Sequence, residues 1–281
     1  MVTLNRSYLY LIVLVMVWGS AFPVIKIALD YLSPFLIALV RVTVGGTLLL
    51  LVSRKLIYGK KEAISAVLNV GLFMILLNLG VEYSSNPGLT STMIYTQPVF
   101  VTVLSRFVLR ERLIPLQILG VVLAFSGVLI SVGSTDFSIG SIIAILGGLT
   151  WAVGTIYHRL YLSDRDVVGL NTFMSLFSAL LILPLSFVDS KFSLDPVGWG
   201  STLLLAVTAQ ATGFLLWFKS VNMLGPVKAS SAVLLVPVSS YLFSALLLRT
   251  APTLLEGLGS SITLLGVFLT FLRPGTLRRS R

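Results

Sequence analysis

The sequence predicts an all-α membrane protein of ten transmembrane helices, built as two inverted five-helix repeats with both termini in the cytoplasm. Composition is the first reason. Of the 281 residues, 56% are hydrophobic and 11% charged, where soluble domains carry about 25% charged residues; the mean hydropathy is +1.00. The second reason is an internal repeat: residues 87 to 132 are read again at 226 to 271, displaced by 139 positions. That displacement lays Pro98-Val99 on Pro237-Val238, Leu109-Arg110 on Leu248-Arg249, Gly120 on Gly259 and Gly127-Val128 on Gly266-Val267. The third is what the copy loses, since Arg106, Glu111 and Arg112 become Ala245, Thr250 and Ala251. Positive charge is kept in cytoplasmic loops and not in outer ones, so copies that differ in this way face opposite sides of a bilayer.

Each element follows from an apolar run bounded by charges or turn residues. A span needs about 20 such residues, and the runs fall at 8–29, 34–53, 64–83, 88–108, 115–132, 139–161, 168–188, 197–218, 227–248 and 253–272. The first run superficially resembles a signal peptide, but it lacks an A-x-A-like cleavage site and contains Trp18 and Lys26, so it reads as a retained span. With the N-terminus inside, cytoplasmic segments hold Arg6, then Arg54, Lys55, Lys60 and Lys61, then Arg106, Arg110 and Arg112. They go on to hold Arg159, Arg165, Lys219 and Lys228, and finally Arg273, Arg278, Arg279 and Arg281. Outer segments hold only Lys191 and Arg249, while Lys26 and Arg41 lie within spans. That asymmetry sets the orientation. Residues 8–132 form the first repeat and 139–272 the second, joined by a short linker near Gly133 to Ser138. Five spans per half is an odd number, so the second copy enters the membrane inverted. The first spans of the halves also correspond, 133 positions apart, with Trp18 on Trp151 and Lys26 on Arg159.

Several stretches resemble the drug/metabolite transporter superfamily, and within it the EamA family. They are the W-G-S-A-F run from Trp18 to Phe22, Arg41 in the second span, Asn86 to Pro98 leading into the fourth, Leu109-Arg110-Glu111-Arg112, and Gly120 and Gly127 on the fifth. The second half departs from the family pattern at Thr250, where a glutamate matching Glu111 is usual, and at Ala152-Val153-Gly154 beside Trp151. The resemblance covers nearly the whole chain. It implies a basket of ten helices around a central cavity lined by the first, third, fourth, sixth, eighth and ninth. It also implies export of amino acids or similar metabolites, as in YddG-like exporters.

Polar and charged groups inside a span are costly and usually face a cavity or a partner, so the few present are informative. Trp18, Phe22 and Lys26 recur every fourth residue and share one face of the first span, as do Trp151, Thr155 and His158 on the sixth. Lys26 offers a cation for a carboxylate, or snorkels to headgroups. Asn78 and Glu82 share a face of the third span; Gln210, Phe214 and Trp217 share one of the eighth. Asn78, Tyr95, Gln210 and Trp217 thus join Trp18, Lys26 and Trp151 as expected substrate contacts, the alternative for the two amides being interhelical hydrogen bonds. Pro98 and Pro237 fall mid-span, where proline removes a backbone hydrogen bond and kinks the helix. Thr92, Tyr95, Thr96 and Gln97 surround the first kink; Ser230, Ser231 and Ser239 flank the second, with Ser231 expected to contact substrate. Paired kinks near the midplane point to the binding site and its hinges. Arg41 reads as a structural residue paired with an acid or a carbonyl, and His158 as a surface residue near a helix end. Gly45, Gly46, Gly120, Gly127, Gly147 and Gly148 serve close helix packing.

The composition also bounds what the chain does. It contains no cysteine, which excludes disulfides and thiolate metal sites, and no P-loop or His/Glu metal-ligand pattern is present. No metal, cofactor or enzymatic chemistry is expected. The net charge of +10 is dispersed between apolar runs, which speaks for membrane orientation and not for nucleic acid. The expected partners are a small, carboxylate-bearing substrate and membrane lipids, in a cell-membrane secondary transporter working by alternating access. Uptake of a sugar or phosphorylated metabolite by the same fold stays open, as do a lipid translocase and a non-transporting scaffold. Substrate identity, direction, coupling ion and oligomeric state stay open as well.

Overall fold

The computed structural model describes residues 6–83, 87–132, 138–188, 191–248 and 254–271, and among them every regular element is helical. The helices are α1 (Arg6–Leu29), α2 (Pro34–Ser53), α3 (Lys60–Glu82), α4 (Pro87–Ile94), α5 (Gln97–Phe107) and α6 (Pro115–Val132). In the second half they are α7 (Ile139–Tyr161), α8 (Val167–Phe187), α9 (Pro196–Leu224), α10 (Pro226–Val233), α11 (Leu235–Leu248) and α12 (Leu254–Phe271). Seven helical stretches are long and apolar enough to cross a membrane among the described residues. The chain is a multi-pass membrane protein. Its outer surface is correspondingly greasy: Val52, Phe107, Leu180, Leu246 and Leu254 are all more than two-thirds exposed, side chains that a bilayer covers and water would not.

Local chemistry sets the helix ends. Ser33 caps α2, its hydroxyl accepting from the Leu36 N–H at 3.2 Å with Pro34 in the first turn. Asp166 caps α8 by accepting from Gly169 N–H at 2.8 Å, and Asp195 caps α9 by accepting from Val197 N–H at 2.8 Å ahead of Pro196. Gly225, at φ +82°, supplies the left-handed residue between α9 and α10. Two expected spans run longer than their apolar stretches: the third begins at Lys60 and the eighth extends to Leu224. At the start of α3 Glu62 is buried and paired with the exposed Arg165 at 3.4 Å, while Lys60 and Lys61 stay exposed. The fourth and ninth spans are each broken, at Tyr95-Thr96 and at Leu234. Each break lies just before a proline, which cannot donate to the carbonyl four residues back. The linker over 133–137, Asn86, Arg249, Thr250, Ala251 and the basic residues beyond 272 lie outside the described residues.

The packing maps onto itself when the halves are exchanged. α6 packs on α12 and α2 on α8; the α3–α7 contact has its counterpart in α9–α1, and α5–α7 in α11–α1. The α6–α12 seam is the tightest. A Cβ on Gly120 would lie 2.7 Å from the Gly266 carbonyl, and one on Gly127 2.5 Å from the Gly259 carbonyl. The expected small-residue contact is therefore a backbone-to-backbone one, reinforced by Thr263, whose hydroxyl lies 3.2 Å from the Ala124 carbonyl.

Candidate substrate cavity

The centre of the bundle is a nest of aromatic rings drawn from both halves. Trp18 of α1 meets Trp151 of α7 edge-on at 5.3 Å between centroids, and Trp217 of α9 closes on Trp151 at 4.8 Å and on Trp18 at 5.8 Å. Phe73 of α3 lies 5.2 Å from Trp151, Phe214 of α9 lies 5.6 Å from Trp18, and Tyr95, at the break between α4 and α5, lies 6.0 Å from Trp151. Against this nest sits a cavity of about 30 Å³ whose wall includes Trp18, Phe22, Arg41, Phe73, Tyr95 and Trp151. That is room for about two waters, where ligand pockets run to about 300–1,000 Å³. The described conformation is therefore contracted around its centre, and admitting a metabolite requires the helices to part.

Two helices are unwound beside the cavity. Val67–Gly71 in α3 and Ala206–Gly213 in α9 are π-helical, a geometry frequent at functional sites. They begin 139 positions apart, the displacement that relates Pro98 to Pro237. Carbonyls in a widened turn need other donors, and Trp18 supplies one: its indole N–H donates to Ala209 at 3.1 Å. Close approach makes that bond possible, since a Cβ on Gly213 would collide with the Trp18 indole. The Trp151 indole nitrogen, at the matching place in the other half, is buried with no partner.

Two stretches of the chain, residues 5–133 and 138–272, match the EamA-like transporter family. The chain belongs to the EamA-like transporter family. The uncharacterized transporter YvbV of Bacillus subtilis is 30% identical over 267 residues, covering 89% of this chain and 86% of that protein. YoaV, an uncharacterized transporter from the same organism, is 26% identical over 283 residues, 94% of this chain and 96% of the relative. A probable amino-acid metabolite efflux pump of Escherichia coli is 27% identical over 280 residues, 92% of each. A solved crystal structure superposes with a TM-score of 0.82 at 16% identity, over 97% of this chain and 99% of the other, a likeness that speaks for the fold alone.

Within this EamA-like transporter the expected contact residues divide. Trp18, Tyr95 and Trp151 line the cavity. Lys26 is half-buried and absent from the wall. Asn78 and Gln210 are fully buried and make interhelical hydrogen bonds: the Asn78 amide donates to the Pro34 carbonyl at 3.2 Å, and the Gln210 amide to the Ser175 hydroxyl at 3.1 Å, while Asn78 Oδ1 and Gln210 Oε1 have no partner. Trp217 stands behind Trp18 and Trp151 and does not line the cavity. Ser231 returns its hydroxyl to the Val227 carbonyl of its own helix at 2.8 Å. Pro98 and Pro237 sit directly after the two helix breaks, and the Ile94 carbonyl, which Pro98 cannot bond, abuts Gly148. The side chain of Thr92 lies outside the described residues.

Two readings are overturned. His158 is not a surface residue but fully buried, its ring tilted against Phe218 at 4.3 Å between centroids, with Nε2 donating to Asn222 Oδ1 across 3.0 Å. Arg41 is not held by an acid or a carbonyl: it is 2% exposed, its Nε and Nη1 have no partner, and it lines the cavity. Sequence reasoning also passed over Phe73, Met74 and Leu77 in the wall, although Met74 lies one turn before Asn78 on the face that Asn78 and Glu82 mark.

A second hollow, about 280 Å³, lies near the ends of α7 and α9, with Glu111, Gln117, Arg159, Asn222 and Lys228 in its rim. Burial pushes the Glu111 carboxyl above its ordinary value, and Arg159 opposes the shift. Its polar wall contrasts with the aromatic centre and suits an aqueous vestibule.

Proposed function

We propose that this protein exports small metabolites, amino acids foremost, across the cell membrane by alternating access. The observation that carries this reading is the position of the cavity: both halves supply its wall, the first Pro-broken helix contributes Ile94 and Tyr95 to it, and the second packs against α1, which carries Trp18. A site at a repeat interface, next to discontinuous helices, is the arrangement that lets one half rock against the other around a fixed centre. Ten transmembrane helices in two inverted repeats, residues 8–132 and 139–272, with both termini cytoplasmic, agree with the charge asymmetry of the loops and with packing that survives exchange of the halves. Breaks ahead of Pro98 and Pro237 are the hinges. The efflux pump of Escherichia coli, similar along nearly the whole chain, supports the direction and the substrate class.

In this cycle Trp18, Tyr95 and Trp151 contact the substrate directly. Trp217, Asn78, Gln210 and Ser231 brace the helices that carry them, and Lys26 attracts carboxylates near the end of α1. The test is counterflow in proteoliposomes preloaded with unlabelled amino acids, run with and without a pH gradient. Accumulation of a labelled amino acid that Trp151→Ala abolishes supports the reading. Absence of accumulation across the panel, with substrate-induced exchange of a sugar or phosphorylated metabolite in its place, replaces it.

A further inference from the structure

Arg41 presents the most unusual chemistry in the molecule. It lies within α2 among rings and aliphatic side chains, 2% exposed, and no ion pair reaches it among the described residues. Two of its three guanidinium nitrogens, Nε and Nη1, are buried without a hydrogen-bond partner. An ionised side chain inside a membrane is ordinarily matched by an acid, a carbonyl or water, and one left unmatched is costly. Arg41 sits instead on the wall of the central cavity. The nearby Trp151 indole N–H is likewise buried and unbonded. Rings and aliphatic groups make up the rest of the wall. The centre thus holds unsatisfied donors and one positive charge, and it lacks a negatively charged acceptor.

We infer that Arg41 is the specificity-determining residue of this cavity, and that its guanidinium binds the single carboxylate of a substrate whose apolar body packs on the surrounding rings. The inference rests on the transport reading above and moves anion recognition from Lys26 to Arg41. Geometry favours a carboxylate, since a guanidinium offers parallel N–H groups that two carboxylate oxygens accept together. Charge favours a single carboxylate, because the wall holds one cation. The residue related to Arg41 by the 133-position displacement is Met174, fully buried, with its sulfur accepting from the Ser65 hydroxyl at 3.2 Å. A dianion such as a phosphate monoester would carry a charge with nothing to meet it.

The test is thermal stabilisation of the purified full-length protein in detergent by matched pairs: N-acetylphenylalanine and its amide, phenylacetate and phenylacetamide, and phenyl phosphate as the dianion. For the wild type, the acid of each pair is expected to stabilise at a concentration lower by at least about tenfold than its amide. Arg41→Gln removes the difference between acid and amide. Arg41→Lys, which keeps the charge without the planar fork, retains part of it and serves if Arg41→Gln does not elute as a monodisperse species. Equal stabilisation by acid and amide in the wild type, no stabilisation by any carboxylate at millimolar concentration, or a preference for phenyl phosphate overturns the inference. Counterflow of an amino acid that its amide inhibits equally well leaves the transport reading standing and removes Arg41. A strong acid preference without amino-acid counterflow does the reverse.

Discussion

The indole N–H of Trp18 donates to the Ala209 carbonyl at 3.1 Å, while the indole N–H of Trp151, its counterpart in the other half, is buried and bonded to nothing. The two tryptophans touch, 5.3 Å apart at an interplanar angle of 74°, so the repeat's symmetry fails at its own centre. Trp18 is committed to holding α1 against the unwound turn of α9. Trp151 keeps its donor in hand.

That difference predicts unequal costs. Trp18→Phe strips the Ala209 carbonyl of its donor inside the bundle, and a buried group left unpaired costs about 1–3 kcal/mol. Membrane hydrogen bonds average about 0.6 kcal/mol, so we expect the lower end of that range. Trp151→Phe deletes no bond and lowers the melting temperature less than Trp18→Phe does, measured in one detergent. Equal shifts would remove the distinction between the two residues.

A second prediction concerns the α6–α12 seam. Gly127→Ala places a methyl 2.5 Å from the Gly259 carbonyl, where backbone has to move to make room. Overpacking of this kind costs about 1–3 kcal/mol. Gly257→Ala on α12, where the added carbon meets nothing within 4 Å, is the control and is expected to leave the elution profile and melting temperature unchanged.

The vestibule predicts a pH effect with a definite sign. Burial raises the Glu111 carboxyl above its ordinary 4.5, so the folded protein holds that proton more tightly than the unfolded chain. The resulting stability is fully present below the unfolded value and is lost as pH rises through the raised one. Glu111→Gln flattens the melting temperature against pH over that acid range. Arg159→Gln removes the opposing charge and carries the decline to higher pH. A wild-type profile that climbs with pH there and is unchanged by Glu111→Gln would contradict the assignment.

The helix breaks predict a separation of rate from stability. Pro98→Ala and Pro237→Ala restore a donor facing the carbonyls of Ile94 and Val233 and permit a continuous helix. Exchange rates in counterflow are expected to fall severalfold with the melting temperature held or raised. Undiminished exchange by both variants would leave the breaks as passive bends.

Much of this molecule could be read from its residues, and the reasons for the remainder are physical. Apolar runs locate the spans because a bilayer demands length, and Pro98 and Pro237 mark the breaks because proline lacks a donor. The π turns of α3 and α9 carry no such mark: neither VLNVG nor AVTAQATG contains a residue that requires a widened turn. Asn78 and Gln210 look like substrate contacts in sequence because a buried amide needs a partner, and only the fold shows that Pro34 and Ser175 accept from their NH2 groups while the amide oxygens stay unpaired. Arg41 misleads in the opposite direction. A pairing rule assigns it a partner, and the fold withholds one.

The two π turns also decide which rings face inward. Each adds a residue to a helical turn, which rotates everything beyond it by about 100°; in α9 the rotated stretch carries Trp217 and Phe218, both fully buried. Deleting one residue between Ala206 and Gly213 would swing those rings toward lipid and bring others inward. In both halves the widened turn falls in the helix that supplies a ring to the nest, beginning at Val67 ahead of Phe73 in the first and at Ala206 ahead of Phe214 in the second.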